Sequence, residues 1–410
     1  MWKESLMQLW DKLQFTLMFS DHILRIVKSG ISRQIIRTQI IGFLSGILFL
    51  TSCGSFSKFS KIGLPEADDY KFFASQKIEN GSTPFHFYTA NNNLDLGNKI
   101  EVDSRKIDAG DQPLELFLKD HKTLSFLIIR NDSILYQYFD QSKADTSIVT
   151  SFSVAKAFIS GLVGIAISEG KIPGVNASIV SYFPELTNQG FEPVTIDHLL
   201  DHTSGIHYKE IQNHVGGNLE FYWGKDLSKD ILNIHPVFTP GEHFEYSNIN
   251  TQLLAMILQR ATGMSVSAYL QEKIWKVIGM EYPATWSLSN YGPDGVEKAF
   301  CCLNARTIDF AKFGRLYLNH GNWNGKQIIP ESWINQSLHS SKENGQRLTY
   351  HYNWGIGPKK YGSFYAIGLY GQLIYMYPEK NVIIVRFGKA DLGYNPPFLF
   401  HTFLQICDQL

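Results

Sequence analysis

The chain has 410 residues, 44% hydrophobic and 14% aromatic, enough to bury a large core. Its formal charge of −1 offers no basic face for nucleic acid. The four cysteines, Cys53, Cys301, Cys302 and Cys407, lack metal-ligand spacing, so no zinc framework is expected.

From the N-terminus, Arg33 and Arg37 precede an apolar run from Ile40 to Leu50, closed by Thr51-Ser52-Cys53. The run is shorter than the about 20 residues that span a bilayer and suits a signal-peptide core. A small residue followed by cysteine resembles a bacterial lipobox, in which a lipidated Cys53 becomes the mature N-terminus. A short uncleaved anchor or a buried helix is the plainer alternative. Gly54 after Cys53 resembles the signal for sorting onward to the outer membrane, which places the protein in the cell envelope, facing the periplasm.

Residues 54–113 are polar and rich in loop formers, and read as a tether and extension. Phe126–Ile129 and Ile134–Tyr138 flank Asn131-Asp132 and read as a hairpin. Residues 153–280 read as mostly helical, broken at Pro173-Gly174 and between Pro236 and Gly241, and 303–318 and 330–337 continue that period. Strands are expected at 364–367, 372–377 and 382–387, with a turn at Pro378–Asn381 and a closing helix from Phe398 to Leu410. Strands at both ends with helices between imply an α+β fold, its sheet assembled from the two ends of the chain. Cys301, Cys302 and Cys407 read as buried thiols, a bridge from Cys407 to either neighbour remaining open in an oxidising compartment.

Ser153-Val154-Ala155-Lys156 opens an apolar helix pattern that runs through Phe158, Ile159, Leu162 and Val163 to Gly170. Residues three apart on a helix share one face, so the lysine nitrogen can reach the serine hydroxyl. A serine needs such a base beside it to become a nucleophile. A second Ser-x-x-Lys, Ser55 to Lys58, sits in a polar stretch without helical period and is read as accidental. Tyr246-Ser247-Asn248 follows the loop Pro240-Gly241 and begins another helix, whereas Tyr317-Leu318-Asn319 lies inside an amphipathic pattern and reads as core. Singly, Ser153 could cap a helix, Lys156 could lie along the surface and Tyr246 could be a half-buried aromatic.

Together these words resemble the serine beta-lactamase and penicillin-binding-protein superfamily. The likeness lies with its class C-like branch of esterases and 6-aminohexanoate-dimer hydrolases. Further matching words are Leu199-Leu200-Asp201-His202-Thr203-Ser204-Gly205, Phe313-Gly314-Arg315-Leu316-Tyr317-Leu318 and Gly368-Leu369-Tyr370-Gly371-Gln372. The resemblance implies an antiparallel sheet flanked by helices, an inserted helical region, and an active site in the cleft between. Residues 1–52 are then a lipoprotein-type signal segment, 53–114 the tether and extension, and 115–410 the catalytic domain. Its sheet is drawn from 115–150 and 300–410 and its helical region from 155–300.

The resemblance further implies a serine hydrolase of amides or esters, working through an acyl-enzyme on Ser153 with no metal or organic cofactor. Lys156 and Tyr246 would share the proton, and Asn248 would orient Lys156 or the substrate amide. The backbone N–H groups of Ser153 and Gln372, the latter after Gly371, would hold the oxyanion. Trp354 is a candidate pocket wall, with a core position as its alternative. His202 beside Asp201 invites a Ser-His-Asp reading, set aside because Ser153, Lys156 and Tyr246 already supply a base. Where beta-lactamases and D-alanyl carboxypeptidases carry a cation on the edge strand, the matched residues are Leu369-Tyr370-Gly371, so carboxylate recognition is expected to be lost. Lys359 and Lys360 are the nearest replacements in sequence. The alternatives are a beta-lactamase, D-alanyl carboxypeptidase or esterase with this machinery, or a non-catalytic lipid-anchored binding protein.

Overall fold

Eight strands make the central sheet, and both ends of the domain supply them. A computed structural model describes residues 64–410 apart from 91–94, 105–109, 208–218, 233, 340–345 and 390–395. The signal segment, Cys53 and the second Ser-x-x-Lys lie outside the described residues.

The early hairpin is β1 (Thr123–Arg130) and β2 (Ser133–Phe139). Asn131 and Asp132 join them with φ of 52° and 58°, the left-handed pair that a two-residue hairpin turn demands. A short strand, β3 (Ile148–Thr150), leads toward Ser153, and β4 (Leu303–Arg306) pairs with it. The late strands are β5 (Tyr350–His351), β6 (Trp354–Ile356), β7 (Phe364–Gly368), β8 (Gln372–Tyr377) and β9 (Val382–Gly388). The sheet runs β5-β6-β7-β8-β9-β1-β2 and ends in the two-residue strand Tyr88–Thr89. Pairings are antiparallel except that last one. The junction between chain ends is β9 on β1, where Ile384 faces Ile128 and Arg386 faces Phe126.

Alternation along these strands sends side chains to two buried faces. Leu127, Ile129, Ile374 and Val385 face the larger core, which contains α2 (Ala155–Ser168) and α5 (Thr307–Leu318). Phe126, Ile128, Leu373 and Ile384 pack against α1 (Leu114–Asp120) and the closing helix α6 (Pro396–Gln409). Helix α2 is buried all round, and a Cβ at Gly164 would stand 2.4 Å from the Trp333 ring. Among the described residues no helix is long and apolar enough to cross a membrane.

The helical region is thinner than its sequence pattern suggests. Beyond α2 its long helix is α4 (Asn248–Thr262), short helices such as α3 (Ile196–Leu200), Leu227–Leu232 and Val266–Leu270 fill the rest, and residues 169–195 hold two 3-10 turns of helix, Ile179–Ser181 and Pro184–Leu186. Residues 303–306 are strand β4 rather than the start of the expected helix. Asn304 there donates to Ser287 Oγ at 3.0 Å, and Leu303 N–H donates to Ser151 Oγ at 3.1 Å, tertiary bonds that local periodicity cannot foresee. Part of the stretch read as a tether and extension carries strands too: Ser75–Ile78 pairs antiparallel with Ala284–Ser287. Cys301 and Cys302 are joined to each other by a disulfide, against the expectation of buried thiols, while Cys407 is a buried free thiol.

Candidate active site

Strand β3 delivers the chain to a tight turn, Phe152–Val154, that runs straight into α2. Phe152 takes φ of 40°, which swings Ser153 to the helix start. One turn on, Lys156 is 1% exposed and donates to Ser153 Oγ at 2.9 Å. Its Nζ also donates to Asn248 Oδ1 at 2.8 Å and to the Phe300 carbonyl at 2.8 Å. Asn248 is the first residue of α4, so two helix beginnings meet at one nitrogen. Of the two partners expected for Asn248, Lys156 or the substrate amide, its Oδ1 accepts from Lys156. Phe300 acts through its backbone, which no side-chain pattern could have flagged.

Tyr246 lies just before α4, with its ring face 4.9 Å from Lys156 Nζ. Ser153 and Tyr246 both line a cavity of about 470 Å³, together with Phe244, Arg347, Tyr350 and Ile367. A larger hollow of about 730 Å³, against β2 and α1, contains no serine, cysteine or histidine and is remote from this chemistry.

His202 does not form a relay with Asp201. Asp201 faces His351 at 2.6 Å, while His202 Nδ1 accepts from Ser247 N–H at 3.0 Å and Nε2 meets Asn353 Oδ1 at 3.0 Å. Burial, and then the Lys156 charge, push the imidazole down to about 3, which keeps it neutral. Burial pushes the Asp201 carboxyl upward.

The edge-strand assignments shift by one short turn. The Gln372 backbone N–H donates to the Leu369 carbonyl, and its side chain bonds both ways with Gly388, so it is committed within the sheet. The Gly371 carbonyl accepts from Arg386 at 2.9 Å. The close approach to Ser153 belongs to Gly368: a Cβ there would stand 2.9 Å from Ser153 N and 2.7 Å from Ser151 O. Gly371 and Gln372 are therefore turn and sheet residues, and Leu369 N–H is the next donor after the contact. Trp354 is fully buried, 4.2 Å from the Tyr317 ring and stacked at 6.1 Å on Phe313, so it is core and not pocket wall.

The residues that precede Gly368, Ala366 and Ile367, carry no charge, so the expected loss of an edge-strand cation holds in the corrected register. Lys359 and Lys360 occupy a separate turn and do not line the cavity. Arg347 does line it, and no periodicity in its loop singled it out. Among the described residues no group of His, Cys, Asp or Glu is placed to hold a metal ion.

The sequence model of the beta-lactamase family matches residues 117–391. A 6-aminohexanoate-dimer hydrolase from Paenarthrobacter ureafaciens is 24% identical over 295 residues, covering 67% of this chain and 74% of that one. A solved 6-aminohexanoate-dimer hydrolase homologue from Bacillus anthracis superposes with a TM-score of 0.74 at 24% identity, over 84% of this chain and 92% of that one. A class C beta-lactamase does so at 0.53 and 18%, over 72% and 94%. The two structural likenesses bear on the fold.

Proposed function

The chain belongs to the beta-lactamase family of serine hydrolases, and from that premise we propose that it cleaves a small-molecule amide or ester through an acyl-enzyme on Ser153. Linear amides, the class named for its curated relative, are the leading substrates. The observation that carries this is Lys156 Nζ at 2.9 Å from Ser153 Oγ while Asn248 and the Phe300 carbonyl hold it in place.

Three acceptors around one Nζ suit an ammonium, which has three protons to donate. Lys156 then steadies the developing serine alkoxide, and Tyr246 passes the serine proton to the leaving amine or alkoxide. Ser153 Oγ forms the new bond to the carbonyl carbon as the old C–N or C–O bond breaks. Water next attacks the acyl-enzyme, its proton returning to Ser153 by the same route. The oxyanion is assigned to the N–H groups of Ser153 and Leu369, of which the first lies at a helix start.

A binding protein would have no use for Ser153, Lys156, Tyr246 and Asn248 in one constellation, which disfavours the non-catalytic reading. A beta-lactamase or D-alanyl carboxypeptidase would need a cation for the substrate carboxylate, and the edge-strand positions Ala366 and Ile367 offer none. Esterase activity is compatible with the same pocket. Incubation with a fluorophosphonate tests the reading: a stoichiometric mass shift should fall on the Ser153 peptide, and labelling that survives Ser153→Ala would overturn it. Ahead of the described residues, Cys53 is assigned as the lipid attachment point that keeps the enzyme at the cell envelope. Cys53→Ser should lose lipid labelling and membrane association, and unchanged partition would refute that anchor.

A further inference from the structure

His202 is a buried histidine with no part in the proposed reaction, yet it holds the segment around Tyr246 at three points. Its carbonyl accepts from Glu245 N–H at 2.8 Å, the residue before Tyr246. Its Nδ1 accepts from Ser247 N–H at 3.0 Å, the residue after. Its ring lies on the Tyr246 ring with centroids 4.7 Å apart and planes 16° from parallel. We propose that His202 is the positioning residue of Tyr246, clamping residues 245–247 and fixing the plane of the phenol that serves Ser153.

Each part of the clamp has its own physical requirement. A neutral imidazole has one donor nitrogen and one acceptor. Because Nδ1 faces an N–H, it must be the acceptor, so Nε2 carries the hydrogen and donates to Asn353 Oδ1 at 3.0 Å. Tyr350 OH stands 3.3 Å from the same nitrogen and Asn250 Nδ2 3.4 Å from Nδ1, while Lys156 is the charged group whose field reaches the ring. Asn353 sits on the turn between β5 and β6, so the tautomer is set from the sheet side and used on the helical side. His202 itself holds φ of 56°, a left-handed conformation unusual outside glycine, at the end of α3. A backbone kept there by bonds to the tyrosine segment fits a site where geometry is held against local preference.

The inference rests on Tyr246 being the proton carrier, and its test separates the two. The acylation rate and KM for a p-nitrophenyl ester are measured on the full chain carrying His202→Asn or His202→Phe, each alone and with Tyr246→Phe. Asparagine keeps an acceptor near Nδ1 without the ring face; phenylalanine keeps the ring without the acceptor. Each should slow acylation by about tenfold or more, as sub-ångström misplacement does, with KM changed less than about threefold. That loss should vanish in the Tyr246→Phe background, where no phenol remains to be aimed. Equal losses in both backgrounds, or a loss carried by KM, would overturn the proposal while leaving the serine chemistry intact. Should the His202 variants fail to fold, Asn353→Ala, which releases the tautomer, should show the same dependence on Tyr246, and its absence there would be equally decisive. A Tyr246→Phe enzyme at the wild-type rate would remove the premise itself.

Discussion

The two walls of the cleft are built on opposite plans. The helical wall concentrates polar groups: Ser153, Asn248 and the Phe300 carbonyl each accept from Lys156 Nζ, with the Tyr246 ring over that nitrogen. The strand wall presents Ile367 and the backbone at Gly368, and among the described residues that line the cavity Arg347 alone is charged. Reaction chemistry is thus written in side chains on one wall, and on the other it is written in backbone shape. Substitutions on the first should change rate, and those on the second should change which molecule is accepted.

The largest effect belongs to the helical wall. Ser153→Ala should abolish ester turnover and covalent labelling, and Lys156→Ala and Tyr246→Phe should each cost about a hundredfold or more in rate. A Lys156→Ala enzyme within threefold of wild type would erase the contrast between the walls. Next comes the missing cation. Losing a charge-assisted contact costs ~1.5–3 kcal/mol, or about ten- to a hundredfold in transition-state binding. Neutral esters should therefore exceed penicillins and cephalosporins in kcat/KM by that margin, and Ile367→Lys should narrow it. An efficient wild-type cephalosporinase would contradict the strand-wall assignment.

Backbone shape can be tested at two glycines on the strand side. Gly368→Ala would push a methyl to 2.7 Å from Ser151 O and 2.9 Å from Ser153 N, so acylation should fall by about tenfold or more, alongside a stability cost because both crowded atoms are backbone. Gly371→Ala, at φ of 73°, should instead cost about 1–2 kcal/mol of stability, read as a lowered Tm, with kcat nearly unchanged. The reverse pattern would restore Gly371 to the oxyanion site. At His202 the effect is on pH dependence. Its folded pKa, pushed down to about 3, lies below the ordinary 6.5, so the unfolded chain takes the proton first. The stability it contributes is complete above pH 6.5 and drains away as pH falls toward 3, by up to about 1.4 kcal/mol per unit. Denaturant midpoints across that range should flatten in His202→Phe. Smallest of all, Arg347→Ala should leave neutral esters within about twofold and lower turnover only of substrates that carry a carboxylate.

The sequence made the helical wall legible because its groups are tied to local signals: spacing of three on a helix, and a tyrosine just before a helix start. The hairpin at Asn131-Asp132 and the strands from Phe364 to Phe387 were equally readable, since alternation and turn residues report them directly. The strand wall was misplaced by three residues, from Gly368 to Gly371, because a glycine's close approach is a property of its neighbour in space. Two glycines in Gly368-Leu369-Tyr370-Gly371 looked alike until Ser153 N was set beside one of them. Trp354 was a candidate pocket wall, and Arg347 drew no expectation, for a related reason. Nothing in a loop's composition says whether its aromatic or its cation turns to the cavity. The Phe300 carbonyl was invisible for a simpler reason, since every residue has one.

The seam between β1 and β9 also governs how the enzyme comes into being. Arg130 lies opposite Val382, so the loop that must close is most of the domain's length. Contacts so distant in sequence form late, after their entropy cost can be met by other packing. As the chain leaves the ribosome, Ser153 and Lys156 can find each other within one helical turn. The strand that faces them emerges more than two hundred residues later. Until β7 to β9 dock, Ser153 has no second wall, and the proposed oxyanion site is incomplete. A nascent or truncated chain would therefore carry the proposed nucleophile unarmed.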